Sequence, residues 1–160
     1  MTIDAHAIMT RNVVTAKPDD TVIDVARLLS AHGISAVPVC DKDGKLLGMV
    51  SEGDLMRPFV DEHALRRAWW LGLLAEGTHL APEFLEYIRL DRRRAQDLMT
   101  HAVVTVTEDT SVPEVAGVLA RHAIKRAPVV RDGKLVGIVS RADVVRALAN
   151  NPRALVNELL

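Results

Sequence analysis

Two short spacings in this sequence carry residues that could do chemistry, Ser51-Glu52-Gly53-Asp54 and Ser140-Arg141-Ala142-Asp143. Each follows a glycine and two aliphatics, Gly48-Met49-Val50 and Gly137-Ile138-Val139, a pattern that fits a strand running into a helix. At such a junction the serine caps the helix and the aspartate, three residues on, completes a capping box. The same geometry also suits a ligand. A helix N-terminus presents free N–H groups and the positive end of a dipole to a phosphate or hydroxyl. A carboxylate placed there can accept two hydrogen bonds from a ribose 2′,3′-diol. Glycine, two aliphatics, Ser and Asp recurring together twice favour the ligand role over capping alone.

The elements that must position these residues are duplicated as well. Residues 9–57 align collinearly with 99–146, with one single-residue gap. Met-Thr-x-x-Val-Val-Thr opens both copies at Met9 and Met99, and Pro38-Val39 matches Pro128-Val129. Val13–Ala16 and Val103–Val106 read as first strands. Val22, Val25, Ala26 and Leu29, repeated as Val112, Val115, Ala116 and Leu119, give one buried helical face. Thr21 or Asp20 can cap the first of these helices, and Gly33 suits its left-handed end, where the second copy has Ala123. Ala36–Cys40 and Ala127–Val130 read as second strands whose prolines, lacking an N–H, belong at a strand end or sheet edge. Asp41–Gly44 and Arg131–Gly133 are turns, and Leu46–Val50 and Leu135–Val139 are third strands. The order is β-α-β-β-α, twice, an α/β (α+β) fold. One copy of about 48 residues buries too little surface to stand alone, so the two are expected to pack with pseudo-twofold symmetry and form two related clefts.

Composition narrows the function. The 160 residues carry 20 Lys plus Arg against 21 Asp plus Glu, for a net charge of −1, which gives no basis for a general nucleic-acid binder. The single cysteine forms no internal disulfide. The longest apolar run, Ala68–Ala75, is too short to cross a bilayer, and the N-terminus lacks a continuous apolar segment. A soluble, cytoplasmic protein without membrane insertion is expected. Asp41-Lys42-Asp43-Gly44 resembles the opening of a calcium loop but lacks the downstream Glu, so a hairpin turn is preferred. His32 and His122 fall at helix ends, and Cys40 reads as a small buried apolar residue. No metal site and no catalytic constellation can be assembled, so an enzyme is not expected.

The repeat, closing each time on Gly-aliphatic-aliphatic-Ser-x-x-Asp, resembles the CBS domain, and the pair resembles a Bateman module. With the segment between its repeats, the chain is similar to bacterial stand-alone CBS-pair proteins that carry a helical insert. The resemblance implies a regulatory, non-catalytic module that binds adenosyl ligands (AMP foremost, with ADP, ATP, NAD or S-adenosylmethionine as alternatives) and often forms a homodimer. It implies that Asp54 and Asp143 hold ribose hydroxyls, with Ser51 and Ser140 on the phosphate or ribose side. It further implies that each cleft borrows from both repeats. Val14, Ile34, Ser35 and Ile138 would line that of Asp143, and Val104, Ile124, Lys125 and Met49 that of Asp54. Lys125 and Arg126 stand where the family uses cations for phosphate, while the first repeat has Ser35-Ala36, so the Asp143 site is expected to be the stronger anion binder.

The domain organisation follows as a first repeat over 1–57, a helical insert over 58–96, a second repeat over 97–148 and a short helical tail over 149–160. Helices are expected over Glu62–Leu74 and from Pro82, followed by Arg92-Arg93-Arg94, which reads first as a solvated charged face. All five aromatics, Phe59, Trp69, Trp70, Phe84 and Tyr87, lie in the insert. The repeats would therefore hold an adenine between aliphatics such as Val14, Ile34 and Ile138. The insert could instead be the working surface of a protein-interaction module whose nucleotide clefts are vestigial, meeting a protein partner that the sequence does not identify.

Overall fold

The structure, a computed structural model, describes residues 2–60 and 92–153, with the side chains of 57–60 left undescribed. The helices expected within 61–91, the aromatics Trp69, Trp70, Phe84 and Tyr87, the Phe59 side chain and the tail beyond residue 153 lie outside the described residues. The described elements are α1 (Ala5–Ile8), α2 (Val22–His32), β1 (Ala36–Cys40), β2 (Leu46–Ser51), α3 (Glu52–Val60), α4 (Ala95–Leu98), β3 (Val106–Thr107), α5 (Val112–Arg121), β4 (Arg126–Arg131), β5 (Lys134–Ser140) and α6 (Arg141–Asn150). The order is the β-α-β-β-α reading repeated, a mixed α+β chain, with the first strands much reduced.

The chain forms two units. One contains residues 1–14, 40–46 and 102–160 and so holds α1, β3, α5, β4, β5 and α6. Its core packs Val112, Val115 and Leu119 of α5 against Val129, Val139, Val144 and Ala147, with Ala5 of α1 fully buried among them. Residues 3–10 stand at the start of the first repeat in sequence, yet they complete the unit built on the second. Ala5 and His6 donate their N–H groups to the carbonyls of Thr110 and Glu108, and Val112 donates to that of Ile3. Asp4 caps α1 by accepting from the N–H of Ala7 at 3.1 Å. The other unit contains residues 15–39 and 47–101, with Val25, Val37, Val39, Val50 and Ala95 fully buried. Here residues 94–100 play the part that 4–10 play in the first. Ala95 and Gln96 donate to the carbonyls of Asp20 and Pro18, and Arg94 Nη1 donates to that of Asp19 at 3.3 Å. Arg94 thus fastens its segment to this unit.

Two expectations are corrected. The first strands expected at Val13–Ala16 and Val103–Val106 shrink to a single parallel bridge, Ala16 to Val39, and a two-residue β3 opposite Val129 and Val130. The turn that follows takes the next donor each time. Before the Ala16 bridge the Val13 N–H is taken by the Arg11 carbonyl, and after it Lys17 N–H goes to Asp20 Oδ2, as Thr107 N–H goes to Thr110 Oγ1 in the second copy, which ends the pairing there. The proline of the second copy sits not at an edge but inside β4, the central strand of β3-β4-β5. It fits because Ile138, its partner on β5, turns both its N–H and its carbonyl to Thr10, while β3 begins only opposite Val129. No ladder bond is asked of the missing donor.

The end of α5 follows that of α2. Ala123 adopts a left-handed φ of 52°, as Gly33 does with a φ of 59° after α2. A Cβ makes that conformation costly, so Ala123→Gly is expected to stabilise the protein by about 0.5–1 kcal/mol, read from denaturant midpoints at unchanged slope. The Asp41–Gly44 segment forms the expected turn. Asp41 Oδ1 accepts from the N–H groups of Asp43 and Lys45, both at 2.9 Å, so this carboxylate is spent on the turn itself.

Candidate functional site

Both Ser-x-x-Asp boxes form, and they form alike. Ser51 donates its backbone N–H and its hydroxyl to Asp54 Oδ2 at 2.8 and 3.0 Å, and Asp54 N–H returns to Ser51 Oγ at 3.3 Å. Ser140 donates to Asp143 Oδ2 at 2.8 Å from both groups, with Asp143 N–H to Ser140 Oγ at 3.3 Å. The carboxylates are sheltered, with Asp54 6% exposed and the Asp143 side chain 12%. Asp143 Oδ1 meets Arg146 Nη1 at 3.2 Å.

The glycine that opens each motif has a different task. At Gly48 a Cβ would stand 2.6 Å from Met99 Sδ and 2.8 Å from the Thr100 carbonyl oxygen. At Gly137 it would stand 2.9 Å from Met9 Cγ and 3.1 Å from the Thr10 oxygen. The strand after each glycine is then pinned, Met49 to Thr100 and Ile138 to Thr10, by reciprocal backbone bonds of 2.8–3.1 Å. The repeated Met-Thr is thus a docking segment, laid over the glycine of the unit it completes, and it fixes Met49 and Ile138 at their places before the boxes.

The remaining candidates distribute between the units. The first unit carries Val14, Val104, Ile124, Lys125, Arg126, Ile138, Ser140 and Asp143, and the other carries Ile34, Ser35, Met49, Ser51 and Asp54. The six aliphatics, Val14, Ile34, Met49, Val104, Ile124 and Ile138, are all half-buried, so each keeps apolar surface open. Lys125 is exposed and Arg126 half-buried. The residue before each second strand is tied to its box, because Ser35 and Lys125 accept through their carbonyls from the N–H groups of Glu52 and Arg141. This adds a residue that the sequence reading missed. Arg141 donates from Nε to the Ile124 carbonyl at 2.9 Å, so Lys125 and Arg141 stand together beside the Asp143 box and Ser35 and Glu52 beside the Asp54 box, whereas the resemblance implied Ser35 for the Asp143 cleft and Lys125 for that of Asp54. The signal for Arg141 was the charge at the first x of Ser-x-x-Asp, Arg in one copy and Glu in the other.

Elsewhere in the same unit, Glu108 ties α1 to β4. It holds Arg131 through Nε and Nη2 at 2.6 and 2.7 Å and His6 Nδ1 at 3.0 Å, and Arg11 Nη2 reaches His6 Nε2 at 2.7 Å. The hydrogen bonds from Arg131 and then His6 lower the Glu108 pKa. A lowered folded pKa gives stability present above the unfolded value and lost as pH falls through the folded one. Glu108→Gln is therefore expected to speed hydrogen exchange at the amides of Ala5 and His6 at neutral pH. The wild type should approach the variant's rate only below the usual Glu range. Burial, and then Asp41, raise the pKa of the Cys40 thiol, which makes it a poor nucleophile. Among the described residues no three His, Cys, Asp or Glu side chains cluster as metal ligands, and no helix is long and apolar enough to cross a membrane.

A β-α-β-β-α repeat, present twice and ending each time on a Ser-Asp box at a helix start, defines a tandem-repeat α+β module. The sequence profile of the CBS domain matches residues 5–61 and 95–150, and the chain belongs to that family. It is 36% identical over 149 residues to an uncharacterised protein of Methanocaldococcus jannaschii, covering 88% of each chain. It is 34% identical over 134 residues to the CBS domain-containing protein CBSX1, chloroplastic, of Arabidopsis thaliana, covering 82% of this chain and 57% of that longer protein. Among solved structures, that of CBSX2 in complex with AMP superposes with a TM-score of 0.71 at 28% identity, covering 94% of this chain and 99% of that one.

Proposed function

We propose that this chain is a ligand-sensing regulatory module that binds an adenosyl ligand, AMP foremost, at its two Ser-x-x-Asp boxes and signals by a change of conformation. The observation that carries the reading is the duplicated box itself. In both copies a sheltered aspartate is locked by its serine at a helix start, next to half-buried aliphatics able to face an adenine. The AMP complex of CBSX2 supports the choice of ligand. Asp54 and Asp143 would take ribose hydroxyls, with Ser51 and Ser140 on the phosphate or ribose side. Val14, Ile34, Met49, Val104, Ile124 and Ile138 would meet the base. Lys125 and Arg126, joined by Arg141, would favour phosphate at the Asp143 box, leaving Ser35 and Glu52 at a box less suited to anions.

The module acts without catalysis of its own and without a metal, in the cytoplasm, as a homodimer. Met56, Val145 and Leu148 supply exposed apolar side chains for dimerisation. To signal, the ligand must favour one conformation over another. Native mass spectrometry of the purified full chain tests ligand and assembly together. A dimer carrying an adenosyl mass is expected, and a bare monomer that takes up none of AMP, ATP, NAD or S-adenosylmethionine when these are added would overturn the reading.

A further inference from the structure

We propose that Arg146 is a displaceable counter-ion of Asp143, which a vicinal diol must push aside, and that it thereby sets how strongly this box prefers ribosyl over 2′-deoxyribosyl ligands. The inference rests on the ligand reading above and is carried by the acceptor capacity of one carboxylate. A carboxylate offers roughly four lone-pair positions. Ser140 fills two on Oδ2, through its backbone N–H and its hydroxyl, each at 2.8 Å. Arg146 Nη1 fills a third on Oδ1. One position is left, and a 2′,3′-diol brings two donors.

Ser140 is the less ready to yield, because its N–H is fixed backbone and its hydroxyl oxygen is held in place by the Asp143 N–H, with both of its donations at 2.8 Å against 3.2 Å for Arg146. Arg146 yields more readily. Its side chain is 69% exposed and its contact, at 3.2 Å, is longer than the 2.7–2.9 Å usual for a charge-assisted bond. A pair whose cation is this exposed is screened by water and held weakly. The guanidinium also has somewhere to go. A cavity of about 380 Å³ between α1 and α6 is lined by Asp143 and Arg146 with Ile3, Ile8, Asn150 and Asn151. The two asparagines carry amide oxygens that can accept from it.

With Arg146 removed, both positions on Oδ1 open to the diol. A ligand with a single hydroxyl needs only the position already open, so it gains little. Any attraction between the Arg146 charge and a ligand phosphate is common to both ligands and cancels in their ratio. The test is calorimetric titration of the full chain with AMP and with 2′-deoxy-AMP, read at the site that Asp143→Asn removes, in the wild type, Arg146→Gln and Arg146→Lys. Arg146→Gln is expected to widen the AMP to 2′-deoxy-AMP affinity ratio by about three- to tenfold, the range of one net hydrogen bond. Arg146→Lys, which restores a cation, should return the ratio toward the wild-type value. A ratio unchanged or narrowed in Arg146→Gln, while AMP still binds, overturns this proposal alone. A wild type that binds neither nucleotide overturns the ligand reading and this proposal with it.

Discussion

Replacing Gly48 with alanine is expected to destabilise the protein by about 2–3 kcal/mol, the upper part of the range for overpacking a tight site, and to lower its thermal midpoint by roughly 5–10 °C. The added Cβ would lie 2.6 Å from Met99 Sδ and 2.8 Å from the Thr100 carbonyl oxygen. The sulfur can swing aside. The carbonyl cannot, because Thr100 is bonded to Met49 in both directions, at 2.8 and 3.1 Å. Gly137→Ala should cost less, since the matching Thr10 oxygen lies at 3.1 Å and the nearest obstacle is the flexible Met9 side chain. Double-mutant cycles separate the two cases. Met9→Ala should recover most of the Gly137→Ala loss, while Met99→Ala should recover only part of the Gly48→Ala loss. Equal and small losses at both glycines would show that the Met-Thr segments do not dock as described.

The second large effect is on binding. Asp143→Asn is expected to weaken AMP at its box by roughly 100-fold while the fold persists, because two hydrogen bonds to a charged acceptor are lost, each contributing about 1.5 kcal/mol. Asparagine keeps an oxygen for Ser140, so the cap on α6 survives. Asp143→Ala also removes the acceptor that completes the capping box with Ser140 and should cost about 1 kcal/mol of stability in addition. Denaturation and titration run on both variants therefore separate the helix-capping role from the ligand role of a single carboxylate. The same pair at Asp54, which is only 6% exposed, should show the larger loss of stability in its alanine form.

The parts of this molecule that depend on local spacing were legible. The faces of α2 and α5 lie at Val22, Val25 and Leu29 and at Val112, Val115 and Leu119 as their i, i+3, i+7 spacing requires, because helix periodicity is a local property. The caps at Thr21 and the two Ser-Asp boxes follow from short side chains beside their own backbone. What escaped the sequence is non-local. Met9-Thr10 and Met99-Thr100 were visible as a repeated signature, but nothing local says that each docks on the glycine of the other repeat. The β-branched runs at Val13 and Val103 look like strands, but only Ala16 in the first and Val106 with the following Thr107 in the second find a partner strand. Pro128 inside a central strand is readable only once Thr10 is seen to satisfy Ile138. Within the candidate site the Ser, Asp and aliphatic positions came from the repeat. Arg141 came only from its hydrogen bond to Ile124.

The most direct test of the central claim is titration of the wild-type chain with AMP up to millimolar concentration, beside the Asp54→Asn/Asp143→Asn variant shown to be folded. Saturable micromolar binding by the wild type, absent from the double variant, is the predicted result. No binding by the wild type, or the same isotherm from both proteins, would contradict a ligand function for the two boxes.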